Sequence, residues 1–210
     1  DVLLSIYNTM KHDPKDPFWE ERDYMVVSIG HISPAVYSTL SLMGYFPLDE
    51  SIAYFRKYGS VYEGHIEREV PGVEWTTGNL GQGLSAGCGF ALSAKIKGKD
   101  NRVYVHMGDG EQQKGQIGEA RRFAAKYKLN NLTAIIDYNQ LQISGSIHDV
   151  MPQSLRRSWE ADGWQVLEVN GHDIPQILGA LEESGKAKKP TMILAKSVMG
   201  KGISFMEQGA

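Results

Sequence analysis

Gly108-Asp109-Gly110-Glu111 and Tyr138-Asn139-Gln140-Leu141 are the two stretches that decide the fold of this chain. Each follows an apolar run with the character of a buried strand, at residues 103–107 and at residues 132–136. Residues 116–128 have the pattern of a crossover helix, which predicts that the two strands are parallel neighbours. Both turns then lie at the carboxyl edge of the sheet, where open α/β sheets bind their ligands.

Similar apolar runs alternate with helical patterns along the rest of the chain. Strands are predicted at residues 24–28, 103–107, 132–136, 164–169 and 191–196. Helices are predicted at residues 1–10, 35–43, 51–58, 84–94, 116–128, 155–162 and 174–184. This order predicts an α/β fold, namely a doubly wound, mainly parallel sheet with helices on both faces.

Length and composition exclude several classes of protein. The 210 residues suit a single domain spanning residues 1–210, and the net charge of −3 with a pI of about 6.1 offers no basic surface for nucleic acid. No apolar run approaches the ~18 residues of a membrane span, and no signal-peptide pattern opens the chain. With one cysteine, Cys88, an intrachain disulfide is excluded, and we expect a cytoplasmic protein without membrane contact.

A glycine-rich segment, Gly81-Gln82-Gly83-Leu84-Ser85-Ala86-Gly87, has some likeness to a dinucleotide-binding loop. No apolar strand precedes it, and no acidic residue about twenty positions later ends a second strand, so this interpretation is rejected. The glycines instead favour close approach of the backbone to a ligand or to a neighbouring chain.

The turns that follow the two central strands carry an all-oxygen set of donors. It consists of the Asp109 carboxylate, the Asn139 amide oxygen and the main-chain carbonyl of Leu141, with glycine amides around them. Such donors suit Mg²⁺, which binds through few protein ligands and completes its octahedron with phosphate oxygens and water. For Gly-Asp-Gly alone a simple turn is the better interpretation, but its pairing with Asn139 predicts a metal site for a diphosphate.

The same residues, with several others, resemble transketolase, a family of thiamine-diphosphate enzymes, over nearly the whole chain. The motifs that carry the resemblance are Gly30-His31-Ile32-Ser33-Pro34-Ala35, Gly64-His65, Pro71-Gly72-Val73-Glu74, Thr77-Gly78-Asn79-Leu80-Gly81-Gln82-Gly83, Gly108-Asp109-Gly110-Glu111-Gln112-Gln113, Lys128-Leu129-Asn130-Asn131-Leu132, Gly163-Trp164 and Gly171-His172-Asp173. The glutamine pair is most similar to split transketolases, whose diphosphate-binding and pyrimidine-binding halves are separate polypeptides.

The resemblance implies a thiamine-diphosphate-binding fold of the diphosphate-binding (PP) type and a set of cofactor contacts. The cofactors would be thiamine diphosphate and Mg²⁺, with Ca²⁺ or Mn²⁺ able to replace Mg²⁺. Asp109, Asn139 and the Leu141 carbonyl would bind the metal, Gly110 would donate to the diphosphate, and Gly78 and Leu80 would lie beside the aminopyrimidine.

The catalytic residues implied by the resemblance are His31, His65 and Glu119. The two histidines would face the sugar, bind its hydroxyls and move protons. The position of His31 at a strand-to-helix turn is compatible with a structural role as well. Glu119 matches a carboxylate of the subunit interface, and a solvated helix glutamate is the alternative.

The activity that the resemblance implies is transfer of a two-carbon glycolaldehyde unit from a ketose phosphate to an aldose phosphate. In this family a glutamate from the pyrimidine-binding domain completes the site, so we expect a C-terminal partner chain and a heterotetramer. Within the family, a 1-deoxyxylulose-5-phosphate synthase or a transketolase for unusual sugars remains open. Outside catalysis, the alternative is a silent fragment that acts as a binding or assembly module.

The sequence departs from the family pattern at three places. Lys114 replaces a frequent acidic residue near the interface, and Ile29 replaces a frequent lysine before the first active-site histidine. Relatives begin with a Gly-His-Pro-rich segment before the helix that opens this chain, and they carry another histidine beyond Gly200-Lys201-Gly202. We therefore expect a domain that is truncated at both ends relative to the family.

Overall fold

The centre of the molecule is a sheet of five parallel strands, and the computed structural model describes it within residues 1–207. The strands of the chain are β1 (Tyr24–Val27), β2 (Val103–Gly108), β3 (Leu132–Tyr138), β4 (Leu141–Gln142), β5 (Gly145–Ser146), β6 (Gln165–Asn170) and β7 (Thr191–Lys196). The sheet has the order β1-β2-β3-β7-β6, while β4 and β5 form a separate antiparallel hairpin. Residues 208–210 of the predicted domain lie outside the described residues.

Eight α-helices connect the strands within residues 1–207. They are α1 (Val2–Thr9), α2 (Ser33–Leu42), α3 (Leu48–Tyr54), α4 (Gly83–Ile96), α5 (Gly115–Lys126), α6 (Ile147–Val150), α7 (Leu155–Ala161) and α8 (Ile174–Lys186). Short 3₁₀ turns at Gly30–Ile32 and Gly110–Gln113 follow β1 and β2. None of the helices in the described part has the length and apolar composition that crossing a membrane requires.

Helices cover both faces of the sheet, because successive residues of a buried strand point in opposite directions. Tyr104 packs in one core with α1, α2 and α8, whereas Val105 packs in a second core with α4, α5 and α7. Residues 103–108 are therefore buried on both sides, as expected of a central parallel strand. The predicted doubly wound, mainly parallel sheet is confirmed.

The register of β2 and β3 brings the two decisive turns together. Gly108 pairs with Asp137, so both strands end at the same level of the carboxyl edge. The crossover helix predicted at residues 116–128 is α5, which ends at Lys126 because Lys128 has a left-handed φ of 50°. The predicted parallel pairing is confirmed, whereas the β4–β5 hairpin and α6 form in a segment for which no regular structure was predicted.

Candidate active site

Asp109 begins the turn that follows β2, and its side chain is almost fully buried at 2% exposure. Its Oδ1 accepts a hydrogen bond from the Gly110 amide at 2.7 Å, and its Oδ2 accepts one from the Gln140 amide at 2.5 Å. The second bond crosses from the end of β2 to the turn after β3. Asp109 therefore joins the two stretches that the sequence singled out.

The electrostatic environment of Asp109 favours a bound cation. Burial, with a smaller contribution from the nearby negative charge of Asp137, raises the pKa of its carboxyl to about 6. No basic side chain within residues 1–207 forms an ion pair with it. Two neighbouring carboxylates without a cation are costly, and a divalent metal would remove that cost.

Asn139 lies next to Gln140 in the turn after β3, and its side-chain amide has a defined orientation. Its Nδ2 donates to Asp137 Oδ2 at 3.3 Å, and its Oδ1 accepts from the Leu141 amide at 2.9 Å. Because a carboxylate only accepts hydrogen bonds, Asp137 determines which end of the Asn139 amide is the nitrogen. Ser197, at the end of β7, also donates to Asp137 and connects this turn to the next strand.

The donor set fits a hard divalent cation. The described residues contain no group of three or more His, Cys, Asp or Glu side chains placed to bind a metal. A metal at this edge would therefore rely on one carboxylate, an amide oxygen and main-chain oxygen, which is compatible with Mg²⁺. That Asp109, Asn139 and the Leu141 carbonyl are the ligands stays a prediction.

Gly110 occupies a tight position beside the hairpin. A Cβ at this residue would lie 3.1 Å from Gln142 Cβ, so a larger side chain would press on β4. Its amide donates to Asp109 in this structure. Its predicted contact with a diphosphate remains a prediction.

His31 and His65 lie close together although 34 positions separate them in the chain. Their ring centroids are 6.0 Å apart, and both side chains are exposed. His31 belongs to the turn after β1, so it stands at the carboxyl edge of the sheet. A Cβ on Gly30 would lie 2.8 Å from His65 Cδ2, so glycine is needed for this close approach.

A cavity of about 280 Å³ opens at the end of β1. Its lining consists of Ser28, Trp75, Thr76, Thr77, Gly78, Asn79, Gln82 and Gly83. Of the predicted cofactor contacts, Gly78 lines this cavity, whereas Leu80, Asp109, Gly110 and Asn139 do not. A Cβ added at Gly30 would lie 3.6 Å from Gly78 Cα, so Gly30 lies near Gly78. This contact places His31 and His65 beside the same cavity.

A larger open groove, of about 580 Å³, lies elsewhere on the surface. It is lined by Tyr138, His148, Pro152, Gln153, Ser154, Leu155, Arg156, Glu168, Leu194 and Lys196, and none of the predicted site residues belongs to it. Arg156 pairs with Glu160 and Glu168, and Lys196 pairs with Glu168, so these two positive charges are already balanced by two carboxylates. The smaller cavity is therefore the better candidate site.

Glu119 is exposed on α5 and does not line the cavity. This position is compatible with both interpretations, an interface carboxylate and a solvated helix residue. Its predicted catalytic role stays a prediction.

The sequence analysis missed the role of Glu111, which is buried at 3% exposure. Its carboxylate connects Ser28, Gly81 and Gly108, which belong to three separate segments of the site. An acidic residue directly after Gly-Asp-Gly was visible in the sequence. Its partners could not be found there, because Ser28 lies 83 positions away.

Comparison with known proteins places this open parallel α/β fold, with a site at its carboxyl edge, in one family. The family model described as "Transketolase, thiamine diphosphate binding domain" matches residues 1–210. The chain therefore belongs to the transketolase family, through its thiamine diphosphate binding domain, and the resemblance drawn from the sequence is confirmed.

Two similar relatives are subunits of transketolases. A 6-deoxy-6-sulfo-D-fructose transketolase subunit of Clostridium sp. (strain MSTE9) is 42% identical over 99% of this chain and 76% of its own length. An apulose-4-phosphate transketolase subunit of Phocaeicola vulgatus is also 42% identical, over 99% of this chain and 74% of its own length.

Solved structures show the same fold in longer chains. A transketolase from Campylobacter jejuni superposes with a TM-score of 0.90 at 40% identity, over 95% of this chain and 32% of that one. A Pichia stipitis transketolase in complex with sedoheptulose 7-phosphate gives a TM-score of 0.90 at 35% identity, over 94% of this chain and 31% of that one. This chain thus spans about a third of those transketolases.

Proposed function

We propose that this chain is the diphosphate-binding subunit of a split transketolase. It would transfer a two-carbon glycolaldehyde unit from a ketose phosphate to an aldose phosphate, with thiamine diphosphate and Mg²⁺, in the cytoplasm. The observation that carries the proposal is the buried Asp109, which bonds across to the turn of Asn139 at the edge where the cavity opens. A divalent metal bound here would offset the negative charge of this carboxylate.

In this proposal each group of residues has a separate task. Asp109, Asn139 and the Leu141 carbonyl bind the metal, and Gly110 donates to the diphosphate. Gly78, in the cavity wall, and the neighbouring Leu80 lie against the aminopyrimidine. When bound, thiamine diphosphate would supply the nucleophilic carbanion chemistry needed to cleave the ketose and to carry the two-carbon unit.

The histidine pair would act on the sugar. His31 and His65 are exposed beside the cavity, so a sugar hydroxyl can reach both rings. An imidazole can donate or accept a proton near neutral pH, which suits the proton transfers that accompany cleavage and formation of the carbon–carbon bond. Their separation of 6.0 Å leaves room for one hydroxyl to contact each ring.

A second chain would complete the site. The relatives named as subunits are only about a third longer than this chain. The transketolase from Campylobacter jejuni is about three times as long as this chain, so those subunits are much shorter than a single-chain transketolase. The partner would be the C-terminal, pyrimidine-binding subunit, and the complex a heterotetramer. It would supply the glutamate that activates the cofactor and the contacts to the sugar phosphate.

Calorimetric titration tests the cofactor assignment. Thiamine diphosphate with Mg²⁺ is titrated into the protein, with and without a candidate partner chain. We expect binding that is strengthened by the partner and abolished by Asp109→Ala. Assembly of the two chains without any cofactor binding would instead favour a silent assembly module.

A coupled assay tests the substrate. With the partner present, xylulose 5-phosphate and ribose 5-phosphate are the first donor and acceptor. Because the two relatives described above act on unusual sugars, 6-deoxy-6-sulfo-D-fructose and apulose 4-phosphate form the second panel. Turnover only with the second panel would identify an unusual-sugar transketolase, and turnover that requires pyruvate would identify a synthase.

A further inference from the structure

Glu111 lies beneath the candidate cofactor cavity without lining it. Its Oε1 accepts hydrogen bonds from the Ser28 hydroxyl at 2.6 Å and from the Gly81 amide at 3.1 Å. Its Oε2 accepts from the Gly108 amide at 3.0 Å. One carboxylate therefore connects the end of β1, the segment at residues 76–83 and the end of β2.

Ser28 extends this connection to the start of α4. The Gly83 amide donates to Ser28 Oγ at 3.1 Å, so the hydroxyl accepts one hydrogen bond and donates another. A Cβ on Gly83 would lie 2.4 Å from Ser28 Cβ, which shows how closely the backbone lies on the serine. Ser28 and Gly83 both line the cavity, so these bonds determine the shape of its wall.

We propose that Glu111 is a positioning residue for cofactor binding. It keeps residues 76–83, which carry Gly78, at a fixed distance from the strand ends that carry His31 and Asp109. This inference rests on the proposed function, because it assumes that the cavity receives the cofactor.

A carboxylate suits this position better than an amide. All three groups that face Glu111 are donors, and a carboxylate offers only acceptors. Glutamine would direct its Nε2 hydrogens at one of these donors, so at least one bond would be lost. A buried anion bonded only to neutral donors costs free energy of folding, and its compensation here is a set of bonds that orders three loops.

This role differs from a general contribution to stability in a measurable way. Loss of the negative charge removes a desolvation cost, so Glu111→Gln should leave the thermal midpoint close to that of the wild type. The loop at residues 76–83 should nevertheless open more often. A residue that served stability alone would lower the thermal midpoint and leave cofactor affinity close to that of the wild type.

Hydrogen exchange and calorimetry on the full chain test the proposal. We expect Glu111→Gln to accelerate exchange at the Gly81 and Gly83 amides by about tenfold, and to weaken binding of thiamine diphosphate with Mg²⁺ by a similar factor. Ser28→Ala, a smaller change, should act in the same direction and serves if Glu111→Gln fails to fold.

Gln112→Ala is the matched control. Gln112 belongs to the same turn, is buried, and bonds to Trp159 at 3.2 Å and to the Gly108 carbonyl at 3.0 Å, but not to residues 76–83. Its variant should lower the thermal midpoint while exchange at Gly81 and cofactor affinity stay close to those of the wild type. Equal loss of affinity in Gln112→Ala and Glu111→Gln would overturn the positioning role.

The outcomes separate this inference from the function on which it rests. Unchanged exchange at Gly81, or unchanged affinity, in a Glu111→Gln protein whose wild type binds the cofactor would overturn the inference alone. A wild type that binds no cofactor, with or without a partner chain, would overturn the proposed function and the positioning role with it.

Discussion

The Asp109 carboxylate is buried. This position favours binding of a metal, and it lowers the free energy of unfolding when the carboxylate is ionised without one. Its pKa in the folded chain, about 6, lies above the ordinary value of 3.8. The folded state therefore binds a proton more tightly than the unfolded state between these pH values. Its contribution to the free energy of unfolding falls as pH rises from about 4 to about 6, so the ionised form is a burden at neutral pH.

Asp109→Asn should therefore stabilise the ligand-free protein at pH 8, because it removes the charge and keeps one acceptor. We expect a rise in the thermal midpoint of roughly 2–4 °C, which corresponds to ~1 kcal/mol in a domain of this size. At pH 4 the difference should disappear, and with Mg²⁺ and thiamine diphosphate its sign should reverse. Thermal scans at both pH values check this, and a less stable variant at pH 8 would contradict it.

His106 is a second buried ionisable group, and it lies on β2 as the sequence pattern predicts for a core residue. Both ring nitrogens lack a hydrogen-bond partner within residues 1–207. Burial lowers the pKa of His106 from its ordinary 6.5 to about 4. Its folded pKa is depressed, so its contribution to stability is complete above pH 6.5 and is lost as pH falls toward 4.

His106→Leu should raise the free energy of unfolding, because leucine buries no unpaired polar atom. We expect a gain of about 1–2 kcal/mol at pH 7 and a larger gain at pH 5, where the wild type must accept a proton on unfolding. Urea unfolding at the two pH values measures the difference. An equal gain at both pH values would show that the imidazole does not titrate between the folded and unfolded states.

Helix α4 packs directly on β2 at Gly87. A Cβ on Gly87 would lie 2.4 Å from Val105 Cγ2, whereas a Cβ on Gly89, two residues later, would meet no atom within 4 Å among the described residues. The helix can therefore approach β2 closely on one side only. Leu84, Cys88 and Ala91 complete this buried face, and burial raises the pKa of the Cys88 thiol to about 12, which keeps it inert.

Alanine at these two glycines should have opposite effects on stability. Gly87→Ala should destabilise the protein by about 1–3 kcal/mol, because the helix must move away from β2. Gly89→Ala should stabilise it by about 0.5–1 kcal/mol, because alanine is the better helix former in open space. Urea denaturation compares the two variants, and destabilisation by both would mean that α4 has no free side.

The turn after β1 positions the histidine pair through Gly30. In Gly30→Ala the new methyl group would displace the His65 ring, while the segments that carry Asp109 and Asn139 remain in place. We expect turnover with the partner chain to fall by tenfold to about 100-fold. Cofactor affinity should change little, and a parallel loss of affinity measured by calorimetry would place His65 against the cofactor instead of the sugar.

The two faces of the sheet are covered by helices, and the candidate site lies at its carboxyl edge. The proposed partner chain would complete this site from the carboxyl edge, and helix surfaces beside that edge could take part in the interface. Glu119, exposed on α5, and Glu182, exposed on α8, lie on opposite faces of the sheet. They allow the two interpretations of Glu119 to be compared directly.

Charge reversal at these two positions should distinguish an interface from a solvated surface. We expect Glu119→Lys to weaken association with the pyrimidine-binding chain by about tenfold or more, because a buried interface charge would be reversed. Glu182→Lys, the matched control, should associate as the wild type does. Sedimentation velocity measures both, and wild-type association of Glu119→Lys would support the solvated interpretation.

Local sequence patterns predicted much of the fold. Five strands, their order of appearance and the parallel pairing of β2 with β3 follow from apolar runs separated by helical periods. Because parallel strands end at a common edge, the sequence also predicted that Asp109 and Asn139 would meet there, and the Asp109 bond to Gln140 agrees with it. The family likeness extended this to residues whose roles no spacing reveals.

Only the tertiary structure brought together groups from distant segments. The contact of Glu111 with Ser28, 83 positions away, depends on β1 lying beside β2. The approach of His65 to Gly30 and His31 depends on how the segment that carries His65 packs on the turn after β1. The link from Asp137 to Ser197 depends on β7 entering next to β3. Sequence alone determined the elements and the edge at which Asp109 and Asn139 meet. Strand order decided these contacts, because burial of both faces of a strand does not specify which strand becomes its neighbour in the sheet.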